Sequence, residues 1–273
     1  MNLTENEDLI VNIDSKIKKI GNGQIAYLVK GGQKKDILLI HGNSCGKEIF
    51  QDFMSSLPMD ADLNGGIYSI DLPGCGDSKN KDYSLESTQK IIVEFCKLEK
   101  ISTPIIIASS MGGHFALQLS SLLNASGVMV IGTPVLKNPM NIEEVIGDLS
   151  MMPLLANPNK HTEEEKIKVA HFFTDNEQGR ADIINMLGKT DPNFRTDAFK
   201  SYGEGLFQDE VNLIKNSDIP ILTTYGENDP LINQDYIESL GIETYKFEGA
   251  DHLPMYSDPK VFREVVTRFT EQI

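Results

Sequence analysis

Apolar positions along this chain fall into two patterns. Short, continuous, β-branched runs occur at 36–40 (DILLI), 66–70, 104–109, 127–133 (GVMVIGT), 219–225 and 244–247. Runs of this length, bounded by Gly, Asn, Asp or Pro, read as strands buried on both faces. Helically spaced segments lie between and after them. Residues 46–57 place Ile49, Phe50, Phe53 and Leu57 on one face. The spacing predicts further helices over 84–100, with Ser84 as cap, over 111–123 and over 258–270. Ahead of these, 11–20 and 24–30 alternate weakly around Gly21-Asn22-Gly23, a hairpin signature.

Strands alternating with helices imply an α/β protein with a mostly parallel sheet covered on both faces. The alternation lapses once. Residues 135–215 hold no strand-like run, only helical patterns at 142–152, 162–173, 180–188 and 196–207, broken by Asn-Pro, Asp-Pro and Gly. That block is too long for a crossover, and both its ends return to the sheet pattern. We therefore expect a core of 1–134 and 216–273 carrying an inserted helical cap or lid at 135–215.

Composition narrows the function classes. The chain has 273 residues, 40% of them hydrophobic, enough for a sizeable core. Its formal charge of −15 argues against nucleic acid, which requires a basic footprint, and against docking on anionic membranes. No apolar run approaches the roughly 18 residues of a membrane span. Cys45, Cys75 and Cys96 are odd in number and lack metal-ligand spacing, which suits a reducing compartment. Residues 1–12 are acidic, without the basic and apolar regions of a signal peptide, so a cytoplasmic location is expected. An exposed apolar face reads like one packed under a lid, so the pattern assigns no oligomeric state.

Binding residues of a parallel sheet gather beyond the carboxyl ends of its strands. Following each predicted strand in turn gives His41-Gly42-Asn43, Asp71, Ser110, then Gly226-Glu227-Asn228-Asp229-Pro230, then Glu248-Gly249-Ala250-Asp251-His252. A serine, an acid and a histidine thus reach one sheet edge in the order Ser…Asp…His, the order of α/β hydrolases. Ala108-x-Ser110-x-Gly112 has the form of a nucleophile elbow, where small neighbours permit a sharp strand-to-helix turn. The same spacing around Ser109 meets bulky Ile107 and Met111, so Ser110 is the candidate nucleophile.

A serine hydroxyl is a weak nucleophile and needs a base, the role expected of His252. Asp229 is expected to orient that ring, with Glu227 and Asp251 as rival acids. His41 reads as a tie for its own loop and His114 as a packed or capping side chain. The oxyanion needs preformed donors: the N–H of Met111 at the helix start, and one from the first loop, Asn43 or else Ser44. Asp71-Leu72-Pro73-Gly74 reads as architectural. In the helical block Phe172, Phe173, Met186, Phe199 and Tyr202 are candidates to line an apolar substrate pocket, with His171 toward a polar head group; each also fits simple helix packing. Ser44 joins them as a candidate substrate contact.

These residues resemble the α/β-hydrolase superfamily over essentially the whole chain, through His41-Gly42-Asn43, Asp71-Leu72-Pro73-Gly74, Ser110-Met111-Gly112-Gly113-His114, Gly226-x-x-Asp229 and Asp251-His252. The resemblance implies an eight-stranded, mostly parallel sheet flanked by helices, and neither metal nor organic cofactor. More narrowly, His41-Gly42-Asn43-Ser44 with Ile49-Phe50, Gly112-Gly113-His114, Gly132-Thr133-Pro134, Lys189-Thr190-Asp191 and Asp229-Pro230 resemble the α/β-hydrolase type of N-acyl-homoserine lactone lactonase. The implied partner is a small-molecule ester or lactone, opened through an acyl-enzyme on Ser110. A short-chain carboxylesterase and a C–C bond hydrolase share the elbow, and a receptor that retains the fold is the alternative of another class. Families with an aspartate at the elbow, such as haloalkane dehalogenases, are disfavoured by Ser110.

Overall fold

The computed structural model describes residues 13–58, 60 and 63–273. The leader reading of 1–12, and with it the first two residues of the predicted hairpin, lie outside the described residues. Eight strands form one sheet: β1 Asp14–Ile20, β2 Gly23–Gln33, β3 Ile37–Ile40, β4 Gly65–Ile70, β5 Ile105–Ser109, β6 Gly127–Ile131, β7 Ile221–Gly226 and β8 Thr244–Phe247. Their spatial order is β1-β2-β4-β3-β5-β6-β7-β8. β1 and β2 form the expected hairpin and β2 pairs antiparallel with β4; every other pairing is parallel. This is the α/β-hydrolase fold.

The helices, in chain order, are α1 Gln51–Ser56, α2 Leu85–Glu99, α3 Met111–Leu122, α4 Ile142–Val145, α5 Met152–Leu155, α6 Glu163–Phe173, α7 Glu177–Lys189, α8 Pro192–Gly203, α9 Glu210–Lys215, α10 Gln234–Ser239, α11 Pro254–Ser257 and α12 Pro259–Glu271. A 3₁₀ turn, Lys47–Phe50, leads into α1. All five residues of β5 are buried, as a run covered on both faces requires. On one face Ile92 and Phe95 of α2 pack with Phe115 and Leu119 of α3. On the other, Phe53 of α1 packs with Phe262 and Val265 of α12.

The parallel register aligns the strand ends. Ile40 pairs with Ala108, Ser109 with Ile131, and Ile131 with Thr224. The loops after β3, β5, β6 and β7 therefore open at one edge. β6 stops at Ile131, short of the predicted 133, because Gly132 turns the chain with φ +58°.

The block between β6 and β7 is helical as expected, with one substantive difference. The helix predicted over 142–152 divides into α4 and α5. Between them the chain is held by backbone bonds from Gly147 to Leu231 and from Asp148 to Pro230, and by an Ile146–Ile232 bridge. Tertiary pairing with the segment after Asp229 overrides local helical spacing. α7 and α8 begin earlier than their apolar patterns, at side-chain caps from Asn176 and Asp191. Short α9, α10 and α11 have too few turns to leave a periodic trace. Among the described residues no helix is long and apolar enough to cross a membrane.

Candidate active site

Ser110 sits at the corner between β5 and α3, with φ 52° and ψ −125°. Such a conformation costs a non-glycine residue about 1–3 kcal/mol and persists only where its surroundings enforce it. Here the Ser110 N–H donates to Ile131 O at 2.6 Å, and its carbonyl accepts from Gly113 N and Thr133 Oγ1, each at 2.9 Å. The small neighbours have a physical cause. A Cβ at Gly112 would lie 2.4 Å from the His41 carbonyl oxygen, one at Gly113 would lie 2.1 Å from Thr133 Oγ1, and one at Gly42 would lie 2.8 Å from Ser110 Cβ. The loop after β3 thus presses on the corner as the elbow pattern anticipates. Ser109, by contrast, is fully buried inside the strand.

The carboxyl end of β7 supplies Asp229 and the loop after β8 supplies His252. The His252 Nδ1–H donates to Asp229 Oδ2 at 2.8 Å, and Asp229 Oδ1 accepts from Leu231 N at 2.9 Å. Both side chains are buried. Gly132 is required beside them: a Cβ there would lie 2.9 Å from both Asp229 Oδ2 and His252 Nδ1. Phe173 stacks on the imidazole at 4.9 Å between ring centroids. With Nδ1 engaged, His252 Nε2 is a buried nitrogen without a hydrogen-bond partner among the described residues. The rival acids are occupied elsewhere. Glu227 accepts from Gly249 N at 2.8 Å. Asp251 accepts from Thr174 Oγ1, Asp175 N and Leu253 N, tying the α6–α7 turn to this loop.

Opposite the corner, His41 ties its loop as expected: Nδ1 reaches Gly42 O at 2.7 Å and Nε2 accepts from Leu72 N at 2.9 Å. Burial lowers the His41 pKa, which favours the neutral ring these bonds need. Asn43 Nδ2 donates to Leu155 O at 2.9 Å, and Ser44 Oγ donates to Asn43 Oδ1 at 3.0 Å. The backbone amides of Asn43 and Met111 donate to no acceptor among the described residues. Buried Arg195 extends this network, donating to Ser44 Oγ, Asn157 O and Asn159 O. Asp71 accepts from Lys47 N, Lys47 Nζ and Asp77 N, an architectural tie. Cys45 and Cys75 are buried, and burial pushes the Cys45 thiol up to about 12 and the Cys75 thiol well above its ordinary value.

A cavity of about 100 Å³ opens over Ser110. Asn43, Met111 and His114 line it from the sheet side, and Phe173, Phe199 and Tyr202 from the helical block. His171 and Phe172 do not reach it. Successive helical residues point about 100° apart, so with Phe173 turned inward, His171 is exposed and Phe172 packs half-buried beside it. Ser44 is buried behind Asn43, and Met186 lies beneath Gly46, neither on the wall. Sequence reasoning missed much of the apolar wall, including Met140, Ile142, Val145 and Ile146 around the division between α4 and α5. It also missed Arg195; a lone arginine in a polar stretch carries no signal that it is buried.

A model of the α/β hydrolase family matches residues 37–265. No curated protein sequence matches the chain. Among solved structures, a variant of the N-acyl homoserine lactonase AidH complexed with N-hexanoyl homoserine is similar with TM-score 0.86 at 22% identity, over 96% of this chain and 97% of that one. A membrane phospholipase A described as a bacterial virulence factor gives 0.75 at 18%, over 96% and 87%. The esterase RhEst1 from Rhodococcus sp. ECU1013 gives 0.73 at 17%, over 94% and 98%. At these identities the likeness establishes the fold.

Proposed function

The chain belongs to the α/β hydrolase family, and we propose that it is a serine hydrolase of carboxylic esters or lactones whose preferred substrate is an N-acyl-homoserine lactone. The observation that carries the reading is Ser110, held in a strained corner on the wall of an apolar cavity, together with a His252–Asp229 pair whose free Nε2 has no partner. In this reading His252 Nε2 takes the Ser110 proton as Oγ attacks the carbonyl. Asp229 keeps the proton on Nδ1 and stabilises the imidazolium. The unengaged N–H groups of Asn43 and Met111 receive the oxyanion, Met111 with help from the start of α3. His252 then returns the proton to the leaving alkoxide, and water activated by the same ring releases the acyl-enzyme. For a lactone the leaving alcohol stays tethered, and the product is a hydroxy acid.

Residues 135–215 act as the lid over the core of 1–134 and 216–273, with their apolar side chains on the acyl part of the substrate. The lactone preference draws its support from the similarity to AidH, a lactonase solved with acyl homoserines, and from the apolar cavity wall.

A fluorophosphonate is expected to inactivate the protein with one adduct, on Ser110, and Ser110→Ala is expected to lose at least about 10⁴-fold in kcat/KM. Homoserine lactones of graded acyl length should be opened faster than nitrophenyl esters of equal length. An adduct elsewhere, or a fully active Ser110→Ala, overturns the mechanism; esters preferred over lactones overturn the substrate alone.

A further inference from the structure

His114 on the cavity wall, with Glu210 behind it, forms a second histidine–carboxylate pair that the proposed mechanism does not use. His114 Nδ1 lies 2.7 Å from Glu210 Oε1, and both side chains are buried. The other carboxylate oxygen, Oε2, accepts from Leu136 N at 2.8 Å. An ionised carboxylate only accepts, so the ring proton sits on Nδ1. In its neutral form the ring then presents Nε2 as a bare lone pair. That nitrogen has no partner among the described residues, and its ring is part of the cavity wall. Tyr202 and Phe207 clamp the imidazole edge-on, with ring centroids 5.1 Å and 5.7 Å away. The rest of the cavity wall is largely apolar and includes Leu136, Met140, Ile142 and Phe199.

The cavity locates this acceptor relative to the reacting atoms. Ser110, at the N-cap of α3, and His114, in the first turns of that helix, both line the same space of about 100 Å³. A ligand whose carbonyl meets Ser110 therefore places a neighbouring substituent in the same small space as His114, which suits an α-substituent. A buried acceptor in an apolar wall favours a ligand that brings a donor and disfavours one that brings a lone pair.

We propose that His114, held in one tautomer by Glu210, accepts an N–H from the substrate and makes the enzyme selective for esters or lactones with an acylamino group beside the scissile carbonyl. This rests on Ser110 being the nucleophile. Glu210 is the positioning residue: it touches the ring and not the substrate.

The test compares α-butanoylamino-γ-butyrolactone with α-butanoyloxy-γ-butyrolactone, in which oxygen replaces the N–H, following ring opening by chromatography. The wild-type protein should favour the amide at least tenfold in kcat/KM. Glu210→Gln retains an oxygen for Leu136 N–H and turns an N–H toward Nδ1. Nε2 then carries the proton, and the preference should fall at least tenfold or invert. The double variant His114→Phe/Glu210→Gln, which has no acceptor, should bring the ratio near one. A wild-type ratio near one overturns the proposal outright, whether or not the variants fold. Equal losses on both lactones in Glu210→Gln, with the ratio kept, assign the pair to packing alone and also overturn it. The nucleophile reading is judged separately by the Ser110 adduct: an adduct with turnover but no amide preference refutes only this inference, and no turnover of any ester or lactone refutes both.

Discussion

The cavity has two sides of different construction. Its floor is made by strand ends: Asn43 after β3, Ser110 and Met111 after β5, with Asp229 and His252 behind them after β7 and β8. Its roof is made by the block between β6 and β7, where Met140, Ile142, Val145, Ile146, Phe173 and Phe199 turn apolar side chains inward. The floor is polar and over-determined. Each group is fixed by strand register, by a backbone hydrogen bond, or by a glycine that no larger residue could replace. The roof is apolar where it faces the cavity, and its ties to the core, such as those of Leu155 to Asn43 and of Gly147 and Asp148 to the segment after Asp229, lie behind that face. Chemistry needs atoms placed within fractions of an ångström, whereas gripping a hydrocarbon needs only matched surface. The two sides therefore tolerate substitution very differently.

The largest effect is expected of Asp229→Asn. Asparagine can still accept from Leu231 N, so the fold should hold, but its N–H₂ facing His252 Nδ1 favours the wrong tautomer. We expect a fall in kcat of about 10⁴-fold with the urea midpoint nearly unmoved. Glu227→Gln, which removes a charge two residues away, should stay within a few-fold. If the two variants lose comparable activity, Asp229 is not the orienting acid and the floor is less specific than its geometry implies.

The same contrast explains why the amino-acid sequence reveals one side of the cavity and not the other. Strand ends are legible because the rules that place them are local. A continuous apolar run such as 105–109 makes a buried strand, parallel strands align their ends, and Ala108-x-Ser110-x-Gly112 marks the turn. Those rules bring forward Ser110, His252 and Asp229, with Glu227 and Asp251 as rival acids, and Asp229 is the acid that meets the His252 ring. The roof is legible only as helical. Which of His171, Phe172 and Phe173 faces inward depends on how α6 is rotated by its packing against α7, a tertiary fact. The division of 142–152 depends on pairing with Leu231 and Pro230, some eighty residues away. His114 reads as a packed side chain because its partner, Glu210, is brought to it by a short helix that leaves no periodic trace.

Arg195 is one place where the sides are joined, and the next largest effect is expected there. Its guanidinium is buried and makes no ion pair among the described residues; it donates instead to Ser44 Oγ on the floor and to Asn157 O and Asn159 O in the roof. Arg195→Met keeps the apolar stem and strands those acceptors. At roughly 1–3 kcal/mol per unsatisfied group, partly relieved by local movement, the loss of stability should be about 3 kcal/mol, read from the urea midpoint. Because Ser44 in turn holds Asn43, we also expect kcat to fall about tenfold while KM changes less. A drop in stability with kcat intact would mean that the roof is anchored through Arg195 but the oxyanion loop is not.

The smallest effect belongs to the roof itself. Met140 is 37% exposed although it contributes to the cavity wall, so it packs loosely and its replacement leaves little void. Met140→Ser should hardly move the urea midpoint, because few buried contacts are lost. Its cost should appear in binding and scale with the substrate. Each buried methylene contributes about 0.8 kcal/mol, and a partly exposed wall residue covers one or two of them. The KM for a hexanoyl substrate should therefore rise about fivefold, that for an acetyl substrate should rise less, and kcat should follow neither. The comparison between the two sides predicts this separation: substitutions in the floor act on kcat at every chain length, substitutions in the roof on KM in proportion to it. A Met140→Ser variant that lost kcat equally on acetyl and hexanoyl substrates would place the roof within the chemistry and remove the distinction.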